Sequence, residues 1–198
     1  MTYGEVKDEA LRLLNRYSVA GEPVALSYND QGDMVARIPG LVRDALYYIA
    51  TTARRLRTVA PLNGAEVLGD RLCFELPDDC YQLAGGLLLV GKDGTIRRRR
   101  DYRLLGGRQV LVPRESAGQW LAEYFRYPAV PSGTPEDDEV LDCPPEAQAA
   151  VACYVAAHLA MEDDQYLHGS LHNEFEMKLA RLQEGAYLEC GVTEDAYG

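Results

Sequence analysis

The sequence predicts an α+β fold: a four-helix bundle formed by N- and C-terminal helices, with an antiparallel β-sheet insertion between them. Apolar residues recur three or four apart near the start of the chain and again from Pro144 to Leu182, the spacing of one helical face. Between these stretches the period shortens to two, with glycine-containing turns. The polar break Glu162-Asp163-Asp164-Gln165 is short enough that the last two helices fold back on each other. The expected division is a helical bundle from residues 1–66 and 144–184, a β insertion with its linker over 67–143, and a flexible tail over 185–198.

Each element has its own signal. Helix one is expected from Tyr3 to Tyr17, with Val6, Ala10, Leu13, Leu14 and Tyr17 on one face. Gly21, Pro23 and Ser27-Tyr28-Asn29-Asp30 read as a loop. Helix two holds Ile38, Leu41, Val42, Ala45, Ile49 and Leu56; Pro39 either opens it or kinks a helix that begins near Asp30. Arg54, Arg55 and Arg57 suit the negative end of that helix, and Pro61, Asn63 and Gly64 end it. Arg71–Leu76 alternates like a strand, and Asp78 and Asp79 are placed to cap a short helical turn reaching Leu83.

Leu87–Val90 and Thr95–Arg99 flank Gly91-Lys92-Asp93-Gly94, a hairpin signal. Tyr102–Leu105 and Arg108–Val112 flank Gly106-Gly107 and give a second hairpin, and Gln119–Tyr127 a last strand, for four or five strands in all. Pro128–Cys143 reads as a linker. Pro144-Pro145 opens helix three, an amphipathic helix with Ala147, Val151, Tyr154, Val155, His158 and Leu159 on its apolar face. Helix four carries Leu167, Leu171, Phe175, Leu179 and Leu182.

Charge divides the chain. Through Gly133 there are 18 Lys and Arg against 16 Asp and Glu; from Thr134 onward there are 2 against 15. Such an acidic segment repels DNA phosphates, yet it suits a passage through which DNA slides without adhering. The N-terminus has acids within a helical pattern and no apolar core segment, so no signal peptide is expected. No window approaches the roughly 20 apolar residues of a membrane helix. Cys73, Cys80, Cys143, Cys153 and Cys190 are odd in number and lack metal or redox spacing; a reducing cytoplasm is the natural setting.

His168, His172 and Glu176 lie four apart along a helix and are the one candidate metal set, for a metal-dependent enzyme. The pairs Asp78-Asp79, Asp137-Asp138 and Asp163-Asp164 sit where turns and caps want aspartate. No nucleophile-elbow, phosphate-loop or dinucleotide motif is present, so neither catalytic residues nor a cofactor are expected. Arg97-Arg98-Arg99-Arg100 cannot sit in a buried strand without partners, which places it at a sheet edge or hairpin tip. These arginines are either solvated surface or, with Trp120 and Tyr124 near in the strand pattern, the candidate interface, a docking patch for an acidic partner surface such as the acidic C-terminal part of a neighbouring copy of this chain. Nucleic-acid contact through phosphates is the alternative use.

Three stretches resemble the head-to-tail adaptor (connector, or neck) proteins of tailed bacteriophages: IPGLVRDALYYIATTARRL from Ile38 to Leu56, Leu76-Pro77-Asp78-Asp79-Cys80, and PPEAQAAVACYVAAHLAMEDDQYLHGSLHNEFEMKLARL from Pro144 to Leu182. The resemblance implies a structural virion protein with no catalytic residue. It implies a homo-oligomeric, dodecameric ring beneath the portal protein that extends the DNA channel without binding DNA specifically. It also implies a platform for tail or head-closure proteins, a place in the virion neck, and assembly in the host cytoplasm without any membrane.

Overall fold

The computed structural model describes residues 1–14, 28–114, 118–131 and 133–189. Tyr17, the Gly21–Ser27 part of the expected loop and residues 190–198 of the expected tail lie outside them. The helices are α1 (Tyr3–Leu13), α2 (Tyr28–Thr52), α3 (Gln148–Ala160) and α4 (Gln165–Glu189), with a 3₁₀ turn over Pro145–Ala147. The strands are β1 (Leu56–Pro61), β2 (Glu66–Leu68), β3 (Arg71–Glu75), β4 (Cys80–Val90), β5 (Ile96–Arg99), β6 (Arg103–Leu105), β7 (Gln109–Pro113) and β8 (Gln119–Arg126). The chain forms two units: Met1–Arg54 with Pro128–Gly198, and Arg55–Tyr127.

Both chain ends contribute to one core in the helical unit, where Val6, Ala10, Ile38, Val42, Val151, Val155, Leu171 and Phe175 are buried together. They do not form the expected four-helix bundle. α3 packs against each of α1, α2 and α4, whereas among the described residues those three have no comparable packing with one another. In a bundle each helix turns one stripe inward and the opposite face to water. α3 has no watery face: Ala150, Val151, Ala152, Cys153, Val155, Ala156, Ala157, Leu159 and Ala160 are all buried. It is therefore a central post rather than the amphipathic helix its spacing suggested, and its alanines let three neighbours approach closely.

α1 starts in a reciprocal cap. The Thr2 amide donates to the Glu5 carboxylate at 2.8 Å, and the Glu5 amide donates to the Thr2 hydroxyl at 3.3 Å. The next free amides are satisfied by the stretch expected to be a linker. Tyr3 N–H donates to the Glu139 carbonyl at 2.8 Å and Gly4 N–H to the Asp137 carbonyl at 2.9 Å. Thr2 and Val140 form a β-bridge, and Leu141 is buried in the helical core. A side chain at Gly4 would place its Cβ 2.8 Å from the Asp137 carbonyl oxygen, so glycine is required there. α2 begins at Tyr28 with Pro39 inside it and stops at Thr52. At the other hairpin end, Asp164 accepts from the Leu167 amide at 2.9 Å and caps α4, which runs on to Glu189 through part of the expected tail.

Among the described residues the β unit has eight strands in two antiparallel sheets, ordered β1-β8-β4-β5 and β2-β3-β7-β6, rather than four or five strands. Leu87, Leu89, Trp120, Ala122 and Tyr124 from the first sheet share a core with Phe74, Val110 and Val112 from the second, which makes a small sandwich. Leu56 and Arg57, expected to end helix two, open β1 instead. Asp78 and Asp79 lie in a tight turn, closed by Cys80 N–H to the Pro77 carbonyl at 3.0 Å, that leads directly into β4 rather than a helical turn. Both expected hairpins form, with Val90 opposite Ile96 and Leu105 opposite Gln109.

Candidate interaction surface

β5 is an edge strand, so the arginine run is presented at a sheet margin. Its four guanidinium groups have different fates. Arg98 reaches Glu123 at 2.9 Å. Arg99 grips Asp101 with two hydrogen bonds, of 2.9 and 2.6 Å, and that hydrogen bonding holds the Asp101 carboxyl below the usual carboxylate range. Among the described residues no ion pair holds Arg97 or Arg100, and both are exposed.

Glu123 stands out because it is 8% exposed, yet by strand alternation it points away from the sandwich core. Arg57 from β1 and Arg98 from β5, the two edge strands, meet it from opposite sides. The clamp therefore ties both margins of the sheet to its interior strand β8. Arg98 crosses β4 where the pairing shifts between Leu83 and Gly86, and this irregularity is built from glycine. Gly85 and Gly86 have φ of 142° and 126°, and a Cβ on Gly85 would sit 3.2 Å from Arg98 Nη1.

Trp120 and Tyr124 do not belong to this surface. At 2% and 4% exposed they fill the sandwich core, because the second sheet covers their face of β8. Among the described residues the Trp120 indole N–H is the one buried side-chain donor left without a partner. The Tyr124 hydroxyl donates to Asp79 at 3.0 Å, and burial, with Asp79 adding, pushes its pKa up to about 12 from 10.0. A raised phenol pKa favours the folded state below the unfolded value and loses that advantage as pH climbs through the folded one. Stability should therefore fall by about 2–3 kcal/mol from this group between pH 10 and about 12. Tyr124→Phe should flatten that part of the fall in urea titrations at stepped pH; an unchanged slope would show that Tyr124 does not set it.

The candidate metal set is not assembled. Among the described residues no group of three or more His, Cys, Asp or Glu is placed to hold a metal. His168 Nδ1 donates to the Ala157 carbonyl at 2.9 Å, and the His172 and Glu176 side chains are 3.9 Å apart and about half exposed. The acidic pairs serve turns and caps: Asp78 pairs with Arg108, Asp79 accepts from Tyr124, and Asp164 caps α4. Burial pushes the Cys143 and Cys153 thiols up to about 12 and about 11, so both are protonated at neutral pH and unsuited to nucleophilic work.

Charge separates with the units. Arg55–Tyr127 holds 12 Lys and Arg against 9 Asp and Glu, or +3, and the rest of the chain 8 against 22, or −14. Among the described residues no helix is long and apolar enough to cross a membrane. No protein-family model matches the chain, and no curated protein sequence does.

Proposed function

We propose that the chain is a structural virion protein, a head-to-tail adaptor whose copies form a ring beneath the portal, extend the DNA channel and offer the tail its attachment platform. The observation that carries this reading is convergence: two of the three adaptor-like stretches, Ile38–Leu56 up to Ala53 and Pro144–Leu182, supply the C-terminal half of α2, all of α3 and most of α4 to a single core. The charge of −14 on the helical unit supports it as well, since an acidic wall lets DNA pass without holding it. The partners are the portal protein, the tail or head-closure proteins and further copies of this chain. The test is negative-stain microscopy of the purified protein mixed with the portal protein encoded in the same genome. A ring added to one end of the portal is expected. A protein that never decorates the portal overturns the reading.

A further inference from the structure

Two short runs of this chain complement each other in charge, order and apolar flank. Ile96 precedes Arg97, Arg98, Arg99 and Arg100 in the β unit, while Glu136, Asp137, Asp138 and Glu139 precede Val140 in the helical unit. Read in opposite directions, Ile96 falls against Val140, Arg97 against Glu139 and Arg100 against Glu136. The side chains of these outer members are the ones open to a partner, although Arg97 lies near the Asp93 carboxylate. Ile96 is 64% and Val140 75% exposed. Among the described residues no ion pair holds Arg97, Arg100, Glu136 or Glu139. Of the middle members, Arg98 is held by Glu123, Arg99 by Asp101 and Asp137 by Lys7, while among the described residues no ion pair holds Asp138.

We propose that the Ile96–Arg100 edge of one copy docks on the Glu136–Val140 turn of a second copy. The inference rests on the adaptor reading only in requiring that copies meet. Both surfaces are held in place beforehand. β5 is laddered to β4, and the acidic turn is fastened to α1 by the Tyr3 and Gly4 amides and by Lys7, so little order has to be created on contact. The acids sit in a turn closed by Glu139 N–H to the Glu136 carbonyl at 3.1 Å. Contact is thus between side chains rather than by adding a strand to the sheet edge. Each exposed ion pair is weak, so the match sets orientation and partner choice more than strength. Because the two surfaces differ, each copy gives one and receives one, the head-to-tail arrangement that makes a ring when its rotation closes and a filament when it does not.

Sedimentation velocity of the full chain over a concentration series tests this. Wild type should self-associate and dissociate as salt is raised. Arg97→Glu with Arg100→Glu, and separately Glu136→Arg with Glu139→Arg, should each weaken association about tenfold or more, since like charges then face each other. An equimolar mixture of the two variants should recover to within about threefold of wild type, because each reversed surface finds its opposite. Circular dichroism checks folding, and Arg97→Gln with Arg100→Gln should give a smaller loss in the same direction. Unchanged association in either variant, a mixture no better than its parts, or a wild type still monomeric at about 1 mM overturns the proposal. The portal experiment separates the two ideas. Recovery on mixing without portal decoration keeps the contact and removes the adaptor reading; decoration that survives both reversals does the opposite.

Discussion

Phe175→Ala should destabilise the helical unit by about 3–5 kcal/mol, the loss expected when a buried aromatic ring leaves a cavity. Phe175 is 1% exposed, and its ring lies 5.2 Å from that of Tyr154 and 5.8 Å from that of Tyr48. One aromatic from each of α2, α3 and α4 therefore meets at this point. Such ring pairs add about 0.5–1.5 kcal/mol beyond their buried area, and α3 is the one long helix against which α4 packs closely. Urea unfolding of wild type and variant is the measurement. A loss below about 1 kcal/mol would mean the three-helix junction closes over the gap, contrary to a close-packed centre.

Removing both arginines from the outer sheet face, as Arg57→Ala with Arg98→Ala, should cost about 2–4 kcal/mol. A carboxylate stripped of its partners in a buried setting costs about 3–5 kcal/mol, and half-exposed guanidiniums reduce that figure through solvent screening. Either single substitution should cost only about 1 kcal/mol, because the remaining arginine still holds Glu123. The double loss should thus exceed the sum of the single losses. Adding Glu123→Leu to the double variant should restore most of the stability by removing the stranded charge. If that third substitution brings no recovery, the damage does not come from the carboxylate. Arg98 is therefore not the freely removable surface residue that an exposed run implies, whereas Arg97 and Arg100 are.

Much of the fold was legible because periodicity survives folding. Val6 and Ala10, Ile38 and Val42, and Leu171 and Phe175 are buried as their spacing requires, and Gly91-Lys92-Asp93-Gly94 marks its hairpin. What could not be read depends on neighbours distant in sequence. The alanines of α3 look unremarkable one at a time, and only three helices arriving from three sides turn them into a central post. Leu56 and Arg57 continue an apparent helical pattern, yet β8 recruits them as an edge strand. On β8 the alternating sets Trp120, Ala122, Tyr124 and Leu121, Glu123, Phe125 are both largely apolar, so the chain alone does not say which faces inward. The second sheet decides, and it sends Trp120 and Tyr124 to the core and the carboxylate outward. The arginine run was visible at once; that half of it is neutralised within its own unit depends on Glu123 and Asp101.

β1 and β8 are antiparallel neighbours, with Leu56 opposite Arg126, so the strands that begin and end the β unit start and finish side by side. The two hydrophobic cores have no residue in common. A segment whose entrance and exit coincide is a cassette. It can be lengthened, trimmed or exchanged for a foreign module by joining residue 54 to residue 128 through a brief connector. Evolution can accordingly retune what this unit touches while keeping the sequence of the helical scaffold, and an engineer can use the same two junctions as grafting points.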